Sequence, residues 1–316
     1  MENNKISNIF INKANEKWII DRLRKEWINY GNPFTRYFFR SEIIWIIAPW
    51  KWNEKKFKKT KSKKVIYSIY HIDEDKFDVS EKKEFERIDK HVDAYHVISM
   101  NTLKQVKKLT KKKIYSIPFW INENIWYPIH DKKIIREKYN IDINSYLVGS
   151  FQRDTEGSDL KTPKLSKGPD RFIEIVKKIQ TTNKNLHVLL AGKRRQYVIS
   201  NLLENDINFT YIEMPSNKKL NELYNCLDLY IVTSRYEGGP QAIFECALTK
   251  TPIISTNVGV APEILKQSSL FEMPNFELAK PDVEYAFEQA QNYKIPKGFD
   301  PFNKMFDEVS SEKYEK

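Results

Sequence analysis

Two strand–turn–helix units in immediate succession, spanning Asp228 to Leu265, constrain this chain more than any other feature. The first runs from the apolar segment Asp228-Leu-Tyr-Ile-Val-Thr233 into Glu237-Gly-Gly-Pro-Gln-Ala-Ile-Phe-Glu245. The second runs from Thr251-Pro-Ile-Ile-Ser-Thr256 into Asn257-Val-Gly-Val-Ala-Pro-Glu-Ile-Leu265. Short apolar runs alternating with helical patterns imply parallel strands joined by crossover helices. Both turns then fall at the carboxyl ends of strands, where open α/β sheets bind ligands. Gly238 and Gly239 let backbone approach a ligand closely, and Pro240 suits the first helical position. Free N–H groups at such a helix start, around Pro240 and Gln241, attract phosphate. Glu237 sits in the turn, and Glu245, just over one helical turn further in, can aim at the same crevice. A tight loop before a surface helix, with two solvated glutamates, would give the same nine residues; the motif alone leaves both readings open.

The rest of the chain shows the same alternation. In the first half, strands are expected at Ile6–Asn12, Glu42–Pro49, Lys64–His71, Tyr95–Ser99 and Lys113–Pro118. Helices are expected at Ala14–Tyr30, where Trp18, Ile19, Leu23, Trp27 and Ile28 fall near helical spacing, at Glu81–Val92 and at Asn101–Leu109. Trp50–Lys64 reads as a basic loop and Trp120–Pro128 as an irregular aromatic connector. In the second half, strands are expected at Tyr146–Gln152, Leu186–Gly192 and Phe209–Glu213, with helices at Arg171–Gln180 and Asn217–Cys226. At 316 residues the chain is long enough for two domains with separate cores.

The pair of glutamates in an E-x7-E arrangement, followed by the second glycine turn, resembles the C-terminal core of GT-B glycosyltransferases of the retaining family 4 type (glycosyl transferases group 1). The stretch Ile117-Pro-Phe-Trp-Ile-Asn-Glu-Asn-Ile-Trp-Tyr-Pro128 is similar to the bridge between GT-B domains, without the glycine usual there. The resemblance is specific over about 146–266 and topological before that. It implies an α/β chain of GT-B type, with two Rossmann-like, doubly wound domains facing across a cleft. Residues 1–130 would form the acceptor domain and 131–289 the nucleotide-sugar donor domain. Helices within 290–316 would cross back to the first domain, and Tyr285–Tyr293 is a candidate for that crossing.

A nucleotide-sugar donor presents a nucleoside, a diphosphate and a sugar. Arg153, just after the strand holding Gly149, and Lys167, which opens Lys-Gly-Pro-Asp170, match the family's basic pair that neutralises the departing diphosphate. Stabilising charge that develops as a bond breaks is usually the largest catalytic term. Acidic residues are natural partners of ribose hydroxyls. By resemblance Glu245 takes that role, while Glu237 contacts the donor sugar and the backbone around Gly238, Gly239, Pro240 and Gln241 holds sugar and phosphate. Gly192, with Lys193 and Arg194 after it, is a candidate for the edge of base and phosphate. Gly259 and Val260 either approach the diphosphate or simply make a turn. His71 ends a strand where the family often places a histidine near the donor sugar; an ordinary strand-end histidine is the alternative. The family's glycine-rich loop after the first strand is replaced by Ile11-Asn-Lys-Ala-Asn15, where Asn12 and Lys13 could bind acceptor or phosphate. Asp73-Glu-Asp75 superficially resembles the metal-binding D-x-D of another glycosyltransferase fold. It is discounted, because GT-B sites normally need no metal and such carboxylates often cap a helix. No metal and no cofactor beyond the donor are expected.

The implied reaction moves a sugar from a nucleotide diphosphate-sugar to an acceptor hydroxyl with retention of configuration. A sugar-nucleotide epimerase or a phosphorylase is a rival within enzymes. A GT-B-like protein that only binds carbohydrate or nucleic acid is a rival of another class. Net charge is +11, and eight lysines against one glutamate fall between Lys51 and Lys64. A codon-biased genome rich in Lys, Asn and Ile explains such lysines as readily as an anionic partner does, whether membrane surface, phosphorylated acceptor or nucleic acid. Nucleic acid is disfavoured, because the aromatics and lysines form no recognisable RNA-binding motif. Trp50 and Trp52, at the start of that stretch, could stack on a sugar, insert at an interface or pack against their own domain. The acceptor is a carbohydrate, a lipid-linked glycan or a protein. No apolar run reaches membrane-spanning length. Met1-Glu-Asn-Asn-Lys5 lacks a signal peptide's basic start and apolar core. Cytoplasmic residence, with peripheral contact to an anionic membrane, is the expectation. Cys226 and Cys246 read as small core residues.

Overall fold

Apolar runs of strand length become one parallel sheet in each of two units. The computed structural model describes residues 8–16 and 19–311. The first unit comprises Met1–Trp120 with Ile295–Lys316, and the second Ile121–Lys294. The division therefore falls ten residues before the position expected from sequence, within the aromatic connector. Trp120 is buried in the first core, its indole N–H donating to Glu26 at 2.9 Å, whereas Ile121 and Trp126 are buried in the second core.

The first unit contains β1 (Ile9–Ile11), α1 (Ile19–Asn29), β2 (Ile43–Ile46), α2 (Glu54–Phe57), β3 (Lys64–Ile69), α3 (Val79–Asp89), β4 (Ala94–Val97), α4 (Met100–Val106) and β5 (Lys113–Ser116). Its sheet order is β1-β2-β3-β4-β5, every pair parallel. Along β2, Ile43 and Trp45 face one core while Ile44 and Ile46 face the other, as the strand period of two requires. The first core holds α1 and the C-terminal helix Asp300–Ser311; the second holds residues of α2 and α4. A single hydrogen bond locates the winding reversal. Asn12 N–H bonds Trp45 on the β2 side, so Ile9, of opposite parity, turns its carbonyl to the outer edge, where Thr35 N–H reaches it at 2.9 Å. The chain after α1 thus runs outside β1, then returns past Phe38, on the opposite face, to β2.

Several expected boundaries shift. Ile6 and Ser7 of the expected first strand and Trp18 of the first helix lie outside the described residues. The basic loop carries the short helix α2, because the Asn53 side chain accepts the Lys56 N–H at its start. Asp78, rather than Asp73 or Asp75, caps α3, accepting from Ser80 and Glu81 N–H. The returning helix is Asp300–Ser311, burying Phe302, Met305, Phe306 and Val309 in the first unit. Tyr285–Tyr293 stays in the second unit, where Ala286 and Ala290 are core residues.

The second unit contains α5 (Lys132–Lys138), β6 (Tyr146–Ser150), α6 (Pro169–Thr182), β7 (Leu186–Ala191), α7 (Gln196–Glu204), β8 (Phe209–Ile212), α8 (Asn217–Asn225), β9 (Leu229–Val232), α9 (Gln241–Thr249), β10 (Ile253–Thr256), α10 (Ala261–Ile264), β11 (Leu270–Phe271) and α11 (Val283–Ala290). The parallel order is β11-β10-β9-β6-β7-β8. Helices α6 and α7 pack on one face, and α5, α8, α9, α10 and α11 on the other. The order reverses between β6 and β9, which pair directly through Val148–Leu229 and Gly149–Tyr230. The loops leaving these two strands flank the crevice that such a reversal opens. Cys226 and Cys246 are free and fully buried in this core, and burial pushes the Cys226 thiol up to about 12.

Candidate functional site

The loops after β6 and β9 meet at that reversal. The turn before α6 is stitched to the turn before α9 by backbone and side chain together. Arg235 and Tyr236 N–H groups both donate to the Ser166 carbonyl, at 2.9 and 3.1 Å. The Thr233 hydroxyl donates to the Gly168 carbonyl at 2.7 Å. Arg235 grips Asp170 in a two-pronged ion pair at 2.8 and 2.6 Å. Gly168 has φ +64°, and a Cβ there would sit 1.9 Å from the Thr233 carbonyl oxygen, so only glycine permits this approach. The Gln152 side chain bridges the β6 loop to both, donating to the Lys167 carbonyl at 2.8 Å and accepting from Ser234 at 3.3 Å.

This stitching brings Lys167 onto Glu237. The ammonium donates to both carboxylate oxygens, and both side chains are mostly buried. Two further cations stand near. Arg153 donates to the Thr155 carbonyl at 2.7 Å; burial, and then Arg194, depress its guanidinium, with Glu156 opposing. Lys164 is held below the ordinary lysine range by burial first, then by Lys167 and Arg153, against Glu237 and Glu156. Lys164 was not identified from sequence. It lies in a polar loop among other lysines, and only its neighbours distinguish it. Mutually repelling, half-desolvated cations are stabilised by an added anion.

The second glycine turn abuts the first. Gly259 has φ +51°, and a Cβ there would lie 2.2 Å from the Gly238 carbonyl oxygen. The Thr256 hydroxyl donates to the Ser234 carbonyl at 2.7 Å, joining the loops after β9 and β10. At α9 no side chain caps the first turn, with Pro240 preceding Gln241. The Gln241 amide oxygen is buried and has no hydrogen-bond partner among the described residues. A ligand hydroxyl would satisfy it.

Other sequence candidates lie elsewhere. Glu245 is only 4% exposed, and the fully buried Tyr224 hydroxyl donates to its Oε2 at 2.8 Å. Burial first, then Glu245, hold that phenol far above its ordinary value, so it stays a donor. Gly149 is an interior residue of β6, as expected, and the space its Cβ would fill is taken by Leu227 Cδ1 at 2.4 Å. Gly192 directly follows β7 with φ +97°, its carbonyl accepting from Tyr211 at 2.8 Å. Arg194 reaches the Gly157 carbonyl. The Asn12 side chain is held by Ala48, donating to its carbonyl at 2.8 Å and accepting from its N–H at 3.0 Å. His71 is exposed beyond β3 and belongs to the first unit. Among the described residues no group of three His, Cys, Asp or Glu is arranged to hold a metal ion, and no helix is long and apolar enough to cross a membrane.

Residues 162–294 match the model of the family described as glycosyl transferases group 1. No characterised sequence matches the chain significantly. Solved structures match over nearly its whole length. The chain is similar to Anabaena Alr3699/HepE in complex with UDP-glucose, at 11% identity and a TM-score of 0.74, covering 96% of this chain and 99% of that one. It is similar to sucrose-phosphate synthase from Thermosynechococcus elongatus, at 13% identity and 0.65, covering 92% and 76%. A glycosyltransferase from Rickettsia africae matches at 17% identity and 0.62, covering 96% and 85%.

Proposed function

We propose a donor site and a reaction course for this chain, a GT-B glycosyltransferase whose residues 162–294 form a glycosyl transferases group 1 domain. The donor is a uridine diphosphate sugar. Supporting this, HepE was solved with UDP-glucose and with UDP and glucose, and the pneumococcal O-GlcNAc transferase GtfA with UDP and GlcNAc. The observation that carries the reading is the cluster of Arg153, Lys164 and Lys167 around Glu237 at the reversal between β6 and β9.

In this reading the diphosphate lies among those three cations, over the uncapped start of α9. Lys167 then shares its charge between Glu237 and a phosphate oxygen. As the bond from the anomeric carbon to the phosphate oxygen breaks, negative charge grows on the β-phosphate where the cations already stand, and little reorganisation is needed. The acceptor hydroxyl attacks on the same face. Its oxygen bonds the anomeric carbon, and its proton passes to the departing phosphate. Configuration is retained. Glu237 and Gln241 hold hydroxyls of the donor sugar. Glu245, fixed by Tyr224, accepts from the ribose. The acceptor is a carbohydrate, free or carried on lipid or protein, and peripheral contact with an anionic membrane remains part of the proposal.

Because the cations neutralise the leaving group, turnover needs no divalent metal and persists in a chelator. The test is nucleotide release from UDP-, GDP-, ADP- and CMP-sugars, with the anomeric configuration of the product read by NMR. Release of UDP alone, with a product of the donor's configuration, supports the proposal. Release of another nucleotide refutes the donor assignment, and an inverted product refutes same-face attack.

A further inference from the structure

The first unit holds a cavity of about 780 Å³ that the donor site does not use. It lies at the carboxyl end of β1, where the winding reverses, against Phe10, Ile11, Asn12 and Lys13. Open α/β sheets take their ligands at such a point. Six cations line it: Lys13, Arg24, Arg36, Lys51, Lys56 and Lys59; none of its described lining residues is Asp or Glu. Lys51 is offset by Glu16 at 3.3 Å. Lys13, Arg36 and Lys59 make no ion pair among the described residues. Arg24 is fixed, its Nε donating to the Ile11 carbonyl at 3.0 Å and its guanidinium lying 5.0 Å from the centre of the Phe34 ring. Burial first, and also Arg36, depress Arg24, while Asp21 opposes, so added negative charge relieves the site.

Aromatic faces stand beside the cations. Phe34, Phe38 and Trp52 line the same cavity. Lys56 Nζ lies 5.4 Å from the Trp52 ring centre, and the Trp52 indole N–H is buried without a partner among the described residues. The floor is preformed: Asp21 accepts from the Ala14, Asn15 and Glu16 N–H groups at 3.2, 3.1 and 2.7 Å, which fixes the loop carrying Lys13. Rings that pack on the apolar face of a sugar, interspersed with cations, describe a site for a charged saccharide.

We propose that this cavity binds a multiply anionic saccharide, one bearing two or more phosphate, sulfate or carboxylate groups. Lys13, Arg36 and Lys59 pair with the charges, and Trp52 donates its N–H. That this saccharide is the acceptor rests on the transfer reaction proposed above; its binding here does not. A lysine-rich surface that only meets a membrane is the competing account.

The test is calorimetric titration of the full chain saturated with UDP, which keeps anions out of the donor site. The ligands are sucrose octasulfate, a trigalacturonate, neutral maltotriose and phosphatidylserine vesicles. The variants are Arg36→Gln/Lys59→Gln and, as a charge-matched control, Lys107→Gln/Lys108→Gln. All four side chains are exposed, so neither variant opens a hole in the core. The anionic saccharides are expected to bind wild type and the control alike, and to bind Arg36→Gln/Lys59→Gln roughly a hundredfold more weakly, about tenfold per lost charge-assisted bond. Maltotriose is expected not to bind measurably. Equal weakening in both double variants, or binding to vesicles but to neither anionic saccharide, overturns the proposal. Wild type that fails to bind UDP while the saccharide comparison holds removes the donor reading and leaves this one standing.

Discussion

Gly168→Ala isolates the contact that carries Lys167 to Glu237. Two costs add at this position. The first is the left-handed backbone at φ +64°, where a Cβ costs about 1–2 kcal/mol. The second is overlap, because the new Cβ falls 1.9 Å from the Thr233 carbonyl oxygen, in backbone that cannot swing aside as a flexible side chain would. Overpacking of this kind costs about 1–3 kcal/mol. The total is about 2–5 kcal/mol. Gly157→Ala supplies the control, since φ there is +71° but the nearest atom, Asp159 Oδ1, is an ordinary 3.5 Å away. It should show the backbone cost alone, about 1–2 kcal/mol. Hydrogen exchange of the slowest amides in β6 and β9 measures both in the second unit's own core. If the chain instead relaxes locally at Gly168, the strain moves Lys167, and UDP affinity falls by about tenfold or more while the exchange change shrinks. Equal stability losses in the two variants, with UDP affinity unchanged in both, would refute the close approach and the argument built on it.

Other outcomes follow from the same contacts. Gly259→Ala, whose Cβ would meet the Gly238 carbonyl oxygen at 2.2 Å, should weaken UDP-sugar binding while leaving the first unit's hydrogen exchange unaltered. Tyr224→Phe removes a buried donor from Glu245 and should cost about 1.5–3 kcal/mol in the stability of the second unit, read by denaturant unfolding. His96 is fully buried between Ser68 Oγ at 2.9 Å and the Ile117 carbonyl at 2.8 Å, and burial lowers its pKa to about 4 from 6.5, with the carbonyl opposing. The unfolded chain therefore binds this proton more tightly. Stability is present in full above pH 6.5 and lost as pH falls to about 4, by roughly 3 kcal/mol from this group. Acid unfolding of the first unit, compared with His96→Gln, checks the sign: the variant should lose that part of the slope.

Much of the second unit was legible because its signals are local. The turn Glu237-Gly-Gly-Pro and the two apolar strands around it announce themselves through residue types whose backbone preferences are narrow. Helices α5 and α7 were not read. The start of α7 follows three cations with no side-chain cap, and its boundary is set by packing of Val198 and Leu202. That Gly149 gives room to Leu227 has no local signature, because the contact exists only once tertiary packing is known. Lys164 and the cation-lined cavity were hidden for a related reason. Lysines are common in this chain, and their meaning lies in which of them gather without carboxylates. The reversal at β1 rests on one hydrogen bond from Thr35 to Ile9, a long-range contact with no local signature. The crossing helix was expected in the right region but began later, because Phe302 and Phe306, not Tyr285 or Tyr293, join the aromatic cluster around Trp27 and Trp45.

The most direct measurement is a titration of UDP and of UDP-glucose into wild type, Lys167→Ala and Lys178→Ala. Lys178 lies on α6, within the same unit, its ammonium 5.3 Å from the Phe276 ring rather than in the cation cluster. Wild type and Lys178→Ala are expected to bind alike, and Lys167→Ala at least about tenfold more weakly, having lost a charge-assisted bond to the diphosphate. Identical affinities in all three proteins, or no binding of UDP to any of them, would contradict a donor site built on Lys167 and Glu237.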